Sequence, residues 1–380
     1  MEKVKISPFQ FFSILVLFQF GTTLVVNLGL EAGRDAWIAV LIGTVIGMLI
    51  FSLNAYLYTA FPDKLPVEYY RLLLGKYVGS LVGLVYAVLY MFTAARDLVD
   101  GGLLVMASAA LRETPLLIVN LLMIMAVAYV LHQGLEVLAR TATIFLAIMF
   151  MIRVFSGIVI LFSGIIDLQL LLPVMGEGFQ PILESVLKKN IHFPFGELIC
   201  ATAIFPAVNH TKNGVKAGLL AILVTGVILA HVSLITISVL GADITERAVF
   251  PLLTMMGKVE ISEFIERTQI LIVMVLIIGV FFKISLYYYA ALISSSILFK
   301  IPYRKLIYPY ALVILGLSII LARSYSEHLM KGGAYLYTVF PFYSIGLPLL
   351  LVIICLIRKA ILGRRSGSAP GPGSGPASGS

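Results

Sequence analysis

Five consecutive residues, Phe193-Pro194-Phe195-Gly196-Glu197, put a helix breaker, a flexible position and a carboxylate inside the apolar run FPFGELICATAIFPAV. Proline lacks a backbone donor, and glycine costs about 1 kcal/mol in a helix interior. In hydrocarbon each unpaired backbone group costs several kcal/mol, so a break survives there only if buried in protein or facing a polar cavity. An intramembrane carboxylate is rare and usually faces a bundle interior. These residues therefore read as a discontinuous helix at a ligand site. The alternative is a proline kink, with Glu197 snorkelling near the helix start. A second polar interruption, Gly21-Thr22-Thr23, lies in the first apolar run. Gly21 has no Cβ, so a ligand can approach the backbone closely, and free N–H groups at Gly21, Thr22 and Thr23 can hold a carboxylate with help from the half-helix dipole.

Three further charged groups fall at membrane depth: Asp97, Arg153 and Lys283. Tyr86, Tyr90, Ala94, Asp97 and Gly101 follow helical spacing and share one side of a helix. Arg96 and Asp100, four apart, read as a pair that neutralises itself. Asp97 has no such partner in sequence and reads equally as a ligand group or as a residue near the outer headgroups.

The elements that must position these groups follow from composition. Of 380 residues, 60% are hydrophobic and 12% charged, and mean hydropathy is +1.04. That balance belongs to an all-α polytopic membrane protein. Net charge is +8, but the basic residues gather between apolar runs, which implies topology and no nucleic-acid partner. Cys200 and Cys355 lie inside apolar segments, and the histidines (His132, His192, His210, His231, His328) are scattered, so no metal or cofactor spacing is present. No cleavable signal peptide is expected before the first apolar run.

Ten transmembrane helices are predicted, over about 7–28, 36–60, 77–111, 115–132, 136–162, 192–208, 214–240, 262–298, 306–323 and 336–357. With the N-terminus inside, fifteen basic loop residues, among them Lys64, Lys76, Lys300 and Lys305, lie on its side against nine opposite, which places both termini in the cytoplasm. The connection after the second span (PVEYYRLLLGKYVG) and that after the seventh (ITERAVFPLLTMMGKVEI) are both interfacial in character, on opposite sides. The first and sixth spans both carry mid-span breaks. Together these predict a five-plus-five inverted repeat whose broken helices meet at a midplane site. Repeat one covers about 6–165 and repeat two about 190–360, within a transporter-like domain of residues 1–365. Residues 366–380, all Gly, Ser, Pro and Ala, read as a flexible appended linker outside the fold.

The phrases ISPFQFFSILVLFQFGTT, GRDAWIA, LLGKYVGSLVGL, LRETP and LLPVMGEGFQPIL resemble the endospore germination permease family, the B subunit of spore germinant receptors, within the amino acid–polyamine–organocation superfamily. These phrases lie between residues 6 and 183, and the resemblance extends over residues 6 to about 360, with LPVMGEG and the FGE break its more specific pieces. In place of the Gly-x-Gly turn usual in the first span of related permeases, Gly21 is followed by Thr22 and Thr23.

The resemblance implies a LeuT-like fold and a subunit in the inner membrane of the spore that recognises a small germinant, usually an amino acid. It also implies partner subunits of the A type and of the lipoprotein C type. Freed carbonyls around Pro194–Gly196, or Glu197, would then hold the ligand ammonium. Phe193, Phe195 and Ala94 would shape an apolar pocket, with Tyr90 and Ala94 as its wall because the third span flanks the central site in this superfamily. In sodium-coupled relatives the first, fifth and eighth spans surround a cation, and in some proton-coupled relatives a basic side chain takes its place. Arg153 or Lys283 could do the same here, without sodium; the other reading is an ion pair with Glu197 or Asp97 that only neutralises buried charge. Three functions remain open: a receptor subunit, a proton-coupled amino acid transporter, and a ligand-gated ion-conducting subunit. An enzyme is not expected, since no Ser/His/Asp set, HExxH or paired-aspartate motif falls within the spans.

Overall fold

The chain opens on a capped helix, α1 (Pro8–Phe20). The Ser7 hydroxyl accepts from the Gln10 amide at 3.1 Å while the Gln10 side chain accepts from the Ser7 amide at 2.8 Å, and Pro8 occupies the first turn, where its missing donor is not needed. Our computed structural model describes residues 5–24, 28–107, 114–258, 265–322, 332, 334, 335 and 338–366. Residues 25–27 of the expected first span, Lys3, Arg112, Arg323, Lys331, His328, the Leu-Arg-Glu of LRETP, and the tail from 367 lie outside the described residues.

Regular helix in the first span stops at Phe20, well short of residue 28, because the chain turns at Gly21 (φ −31°, ψ −112°). It resumes in a 3₁₀ turn, Leu30–Asp35, leading into α2 (Ala36–Ala60). A short helix, α3 (Pro66–Leu74), precedes the long α4 (Lys76–Ala107), and α5 (Leu116–Gln133) and α6 (Leu135–Phe162) complete the first half. After α7 (Gln180–Ser185) the sixth span is irregular throughout. It runs as π-type turns over Val186–Phe195, leaves helical geometry at Phe193 (φ −123°, ψ 122°), and continues as 3₁₀ turns over Gly196–Ala203 and Phe205–Ala207. The second half follows with α8 (Thr211–Leu240), the short α9 (Ala242–Arg247) and α10 (Pro251–Gly257), then α11 (Ile265–Phe299), α12 (Tyr303–Leu321) and α13 (Leu347–Ser366).

Eight helices among the described residues are long and apolar enough to cross a membrane. The first and sixth of the ten expected spans are not among them, since α1 has 13 residues and the sixth has no long regular stretch. The short helices α3 and α10 stand at corresponding places in the two halves, each with proline in its first turn. This is the five-plus-five order expected of a LeuT-like fold. The stretches that lead into and hold the breaks lie inside the protein: α1 is buried from Phe11 onward save Phe12, and residues 190–205 are buried throughout. Their ends are tied at the N-terminal side, where the Ile6 amide donates to the Ala207 carbonyl at 2.8 Å and the Asn209 amide to the Ile6 carbonyl at 2.9 Å. Of the helices around them, α11 packs on both, α8 and α6 on α1, and α2 on the sixth span, while α4 packs extensively on α11.

Candidate functional site

Lys283 stands near the middle of α11, fully buried, at the place where both breaks open. Its Nζ lies 2.6 Å from Glu197 Oε2 and 3.8 Å from Asp97 Oδ1. It also donates to Thr22 Oγ1 at 2.7 Å, and that hydroxyl donates to Asp97 Oδ1 at 3.5 Å. Four side chains from four segments thus converge: Thr22 at the first break, Asp97 on α4, Glu197 at the second break, and Lys283. An ion pair this short and this dry carries a strong charge-assisted attraction, opposed by a large desolvation cost. Lys283 Nζ further lies 4.3 Å from the Phe193 ring centroid and 5.7 Å from that of Phe18, within cation–π range.

Local sequence explains how each group arrives. Phe193 leaves helical geometry just before Pro194, a residue type whose ring disfavours α geometry in its predecessor. Glu197 sits on the first 3₁₀ turn beyond that irregularity. On α11, Gly279, Lys283 and Tyr287 recur every four residues and share one face. Gly279 lets that face close on the first break: a Cβ there would come within 3.0 Å of both Gly21 Cα and Gly21 N. A Cβ on Gly21 would itself meet Lys283 Cδ at 2.7 Å, so the close approach to Gly21 is made by this lysine.

The remaining expected residues distribute around this centre. Tyr90 is buried, donates to the Ile199 carbonyl at 3.4 Å and touches the Tyr287 ring at 6.0 Å between centroids; Ala94, one turn on, has no exposed surface. Pro194 is buried between Phe193 and Phe195. Phe195 turns away to α2, where a Cβ on Gly47 would lie 2.5 Å from its ring, and Gly196 faces Phe340 and Ser344. Thr23 is buried with its hydroxyl unpartnered and lines a small pocket with Leu24, Leu28, Leu229, Val232 and Ser233. Arg153 on α6 is half-buried and makes no ion pair with Asp97 or Glu197, both of which pair with Lys283. Phe18, Gly279 and Tyr287 were not anticipated; the four-residue repeat on α11 is the signal that could have found the latter two.

A chain of tyrosine rings leads from the centre toward α3. Successive centroids from Tyr287 through Tyr90, Tyr86 and Tyr70 to Tyr69 lie 6.0, 5.6, 5.5 and 4.9 Å apart. Tyr86 also donates to the Tyr343 carbonyl at 2.6 Å, tying α4 to the turn before α13.

The Spore germination protein family matches residues 5–328 of this chain. Spore germination protein KB of Bacillus subtilis (strain 168) is 39% identical over 362 residues, 94% of this chain and 96% of that relative. Spore germination protein YndE of the same organism is 28% identical over 276 residues, 70% of this chain and 72% of that one. Among solved structures, Mhp1, a nucleobase-cation-symport-1 family transporter in a closed conformation with bromovinylhydantoin bound, superimposes with a TM-score of 0.62. The superposition covers 92% of this chain and 78% of that one at 12% identity, a likeness of fold alone.

Proposed function

The chain belongs to the spore germination protein family, a multi-pass membrane permease with a transporter-like fold, and from that premise we propose that it is the membrane subunit of a nutrient-germinant receptor. In this reading it binds a small germinant, an amino acid, between the broken first and sixth spans and signals to partner subunits to start germination. The observation that carries it is the convergence of Thr22, Asp97, Glu197 and Lys283 where the two breaks meet. An amino acid has a carboxylate and an ammonium at one end. Lys283 offers an ammonium for the first, Asp97 and Glu197 offer carboxylates for the second, and Phe193, Tyr90 and Ala94 supply apolar surface beside them. Access to the Gly21 backbone requires Lys283 to swing aside, which gives ligand entry a defined local movement.

The partners in this reading are an A-type subunit and a lipoprotein C-type subunit, in the inner membrane of the spore, with both termini cytoplasmic. A second reading, transport of the amino acid together with a proton, is favoured by the likeness to a symport-family transporter. The test is the germination dose–response of Glu197→Gln spores to a panel of amino acids, beside immunoblot abundance of the subunit. Loss of a charged contact worth about 1.5–3 kcal/mol shifts the response roughly ten- to hundredfold. A wild-type response at normal abundance overturns the reading. Uptake of radiolabelled amino acid into liposomes by the isolated chain would support the transporter.

A further inference from the structure

The buried charges at this centre do not cancel. Asp97, Glu197 and Lys283 are 4%, 3% and 0% exposed, and both carboxylates meet the same ammonium. Two anions and one cation leave one negative charge in excess among the described residues. Among the described residues, Asp100 and Arg96 of α4 also bear on them, and their opposite signs add nothing to the sum. Tyr287 of α11, Tyr335 and Tyr343 ahead of α13, and Cys200 of the broken segment also bear on the carboxylates, and these residue types are neutral at pH 7 at their ordinary values. Phe18 of α1 and Thr22 of the first break also meet Lys283, and neither is ionisable in this range. His192 lies against Phe340, and Arg153 bears on His231. An uncompensated anion in a dry interior is far more costly than its neutral acid, and two carboxylates at one site do not both stay ionised.

We propose that Asp97 and Glu197 form a proton-binding site, holding one proton between them while no ligand is bound, with Asp97 its carrier. The geometry separates the two roles. Glu197 is the nearer anion, 2.6 Å from the ammonium, and remains the partner of Lys283. Asp97 is held through Oδ1 by the Thr22 hydroxyl and, at 3.8 Å, by Lys283; its Oδ2 is buried with neither a hydrogen bond nor an ion pair, whereas Glu197 Oε2, likewise without an aligned hydrogen bond, sits in ion-pair contact with the ammonium. That oxygen is where the proton sits. Where the recognition reading also holds, a ligand ammonium entering beside Asp97 supplies the second positive charge, and the proton leaves to water. Ligand binding is then linked to proton release through a residue in the transmembrane core.

The experiment needs no ligand, so its result is independent of what the site recognises. Infrared spectra of the purified full chain in lipid nanodiscs at neutral pH report protonated carboxyl groups by their carbonyl absorption. Difference spectra of wild type against Asp97→Asn and against Glu197→Gln should each show loss of one such absorption, because either change leaves a balanced pair with Lys283. Lys283→Met should show a gain, since both acids then take protons. The two carboxylate variants read the same quantity, so one that fails to fold leaves the other decisive. Absence of a protonated-carboxyl absorption in wild type, or one unchanged in whichever of these two variants folds, overturns the proposal.

Discussion

Lys283 lies across Gly21 so closely that a Cβ on the glycine would sit 2.7 Å from Lys283 Cδ and 2.9 Å from Lys283 Cβ. The bare glycine is what allows the lysine stem to cover the opened end of α1 and bring Nζ to Thr22 and Glu197. The lysine therefore couples the packing of α1 against α11 to the electrostatics of the site.

Gly21→Ala should displace that stem. Phe18 O, a backbone atom 3.1 Å from the added carbon, cannot yield, so the side chain or the helix must. Overpacking of this kind costs about 1–3 kcal/mol. A lower melting temperature of the purified protein and a weaker germinant response are both expected; an unchanged melting transition would mean that Lys283 repacks freely.

Gly279→Ala is the stricter test of the α1–α11 contact, because its added carbon meets only backbone: Gly21 Cα and N at 3.0 Å and Phe20 C at 3.2 Å. The two helices must separate, and loss of folded protein in membranes is expected. Gly157→Ala on α6 is the matched control. Nothing lies within 4 Å of its added carbon, and alanine is the better helix former by about 1 kcal/mol, so abundance should hold or rise. Equal losses in the two variants would assign the effect to helix insertion in general.

How much of this centre could be read in advance varies residue by residue. The sixth-span break was legible because proline, glycine and a carboxylate in five positions have few other uses at membrane depth. The identity of the central base was not. Arg153 and Lys283 look alike in sequence, each the single charge in the apolar middle of its helix, so no hydrophobic face orients either one. Only packing separates them, and it brings Lys283 to carboxylates 86 and 186 positions earlier in the chain. The extent of the broken spans was likewise hidden: a hydropathy window reports apolar length, whether the backbone is helical or unwound. Thr22 was anticipated for its backbone amide, whereas the structure uses its hydroxyl as the bridge between Lys283 and Asp97.

Asp35 gives a prediction outside the centre. It accepts from the Met175 amide through both carboxylate oxygens at 3.0 Å, and neighbouring Arg34 donates to the Leu172 carbonyl. The GRD turn thereby holds the LPVMGEG loop. Asp35→Ala removes that hydrogen bond and leaves the amide of the exposed Met175 to water, at about 1 kcal/mol. Hydrogen exchange over residues 172–178 should quicken while exchange around Glu197 stays as in wild type. Faster exchange at both places would show that the loop and the centre open as one unit.

The last prediction separates the worth of the buried charges to the fold from their worth to recognition. Lys283→Met removes the only cation that pairs with Asp97 and Glu197 in the described structure, so both acids must take up protons to stay buried, and breaking a buried pair from one side costs about 3–5 kcal/mol. The single variant should therefore be less abundant and melt at a lower temperature. Adding Asp97→Asn and Glu197→Gln removes the stranded acids, and neutral replacement of a buried ionic cluster is often without net cost. The triple variant should recover a melting transition close to wild type. A structural cluster would then recover germination along with stability. A recognition cluster would not, since no charge remains to meet a ligand carboxylate or ammonium. Immunoblot abundance and germinant dose–response in the same spores distinguish the two. Recovery of stability with a silent dose–response is the expected outcome, and a response restored by the uncharged triple variant would place germinant recognition elsewhere in the protein.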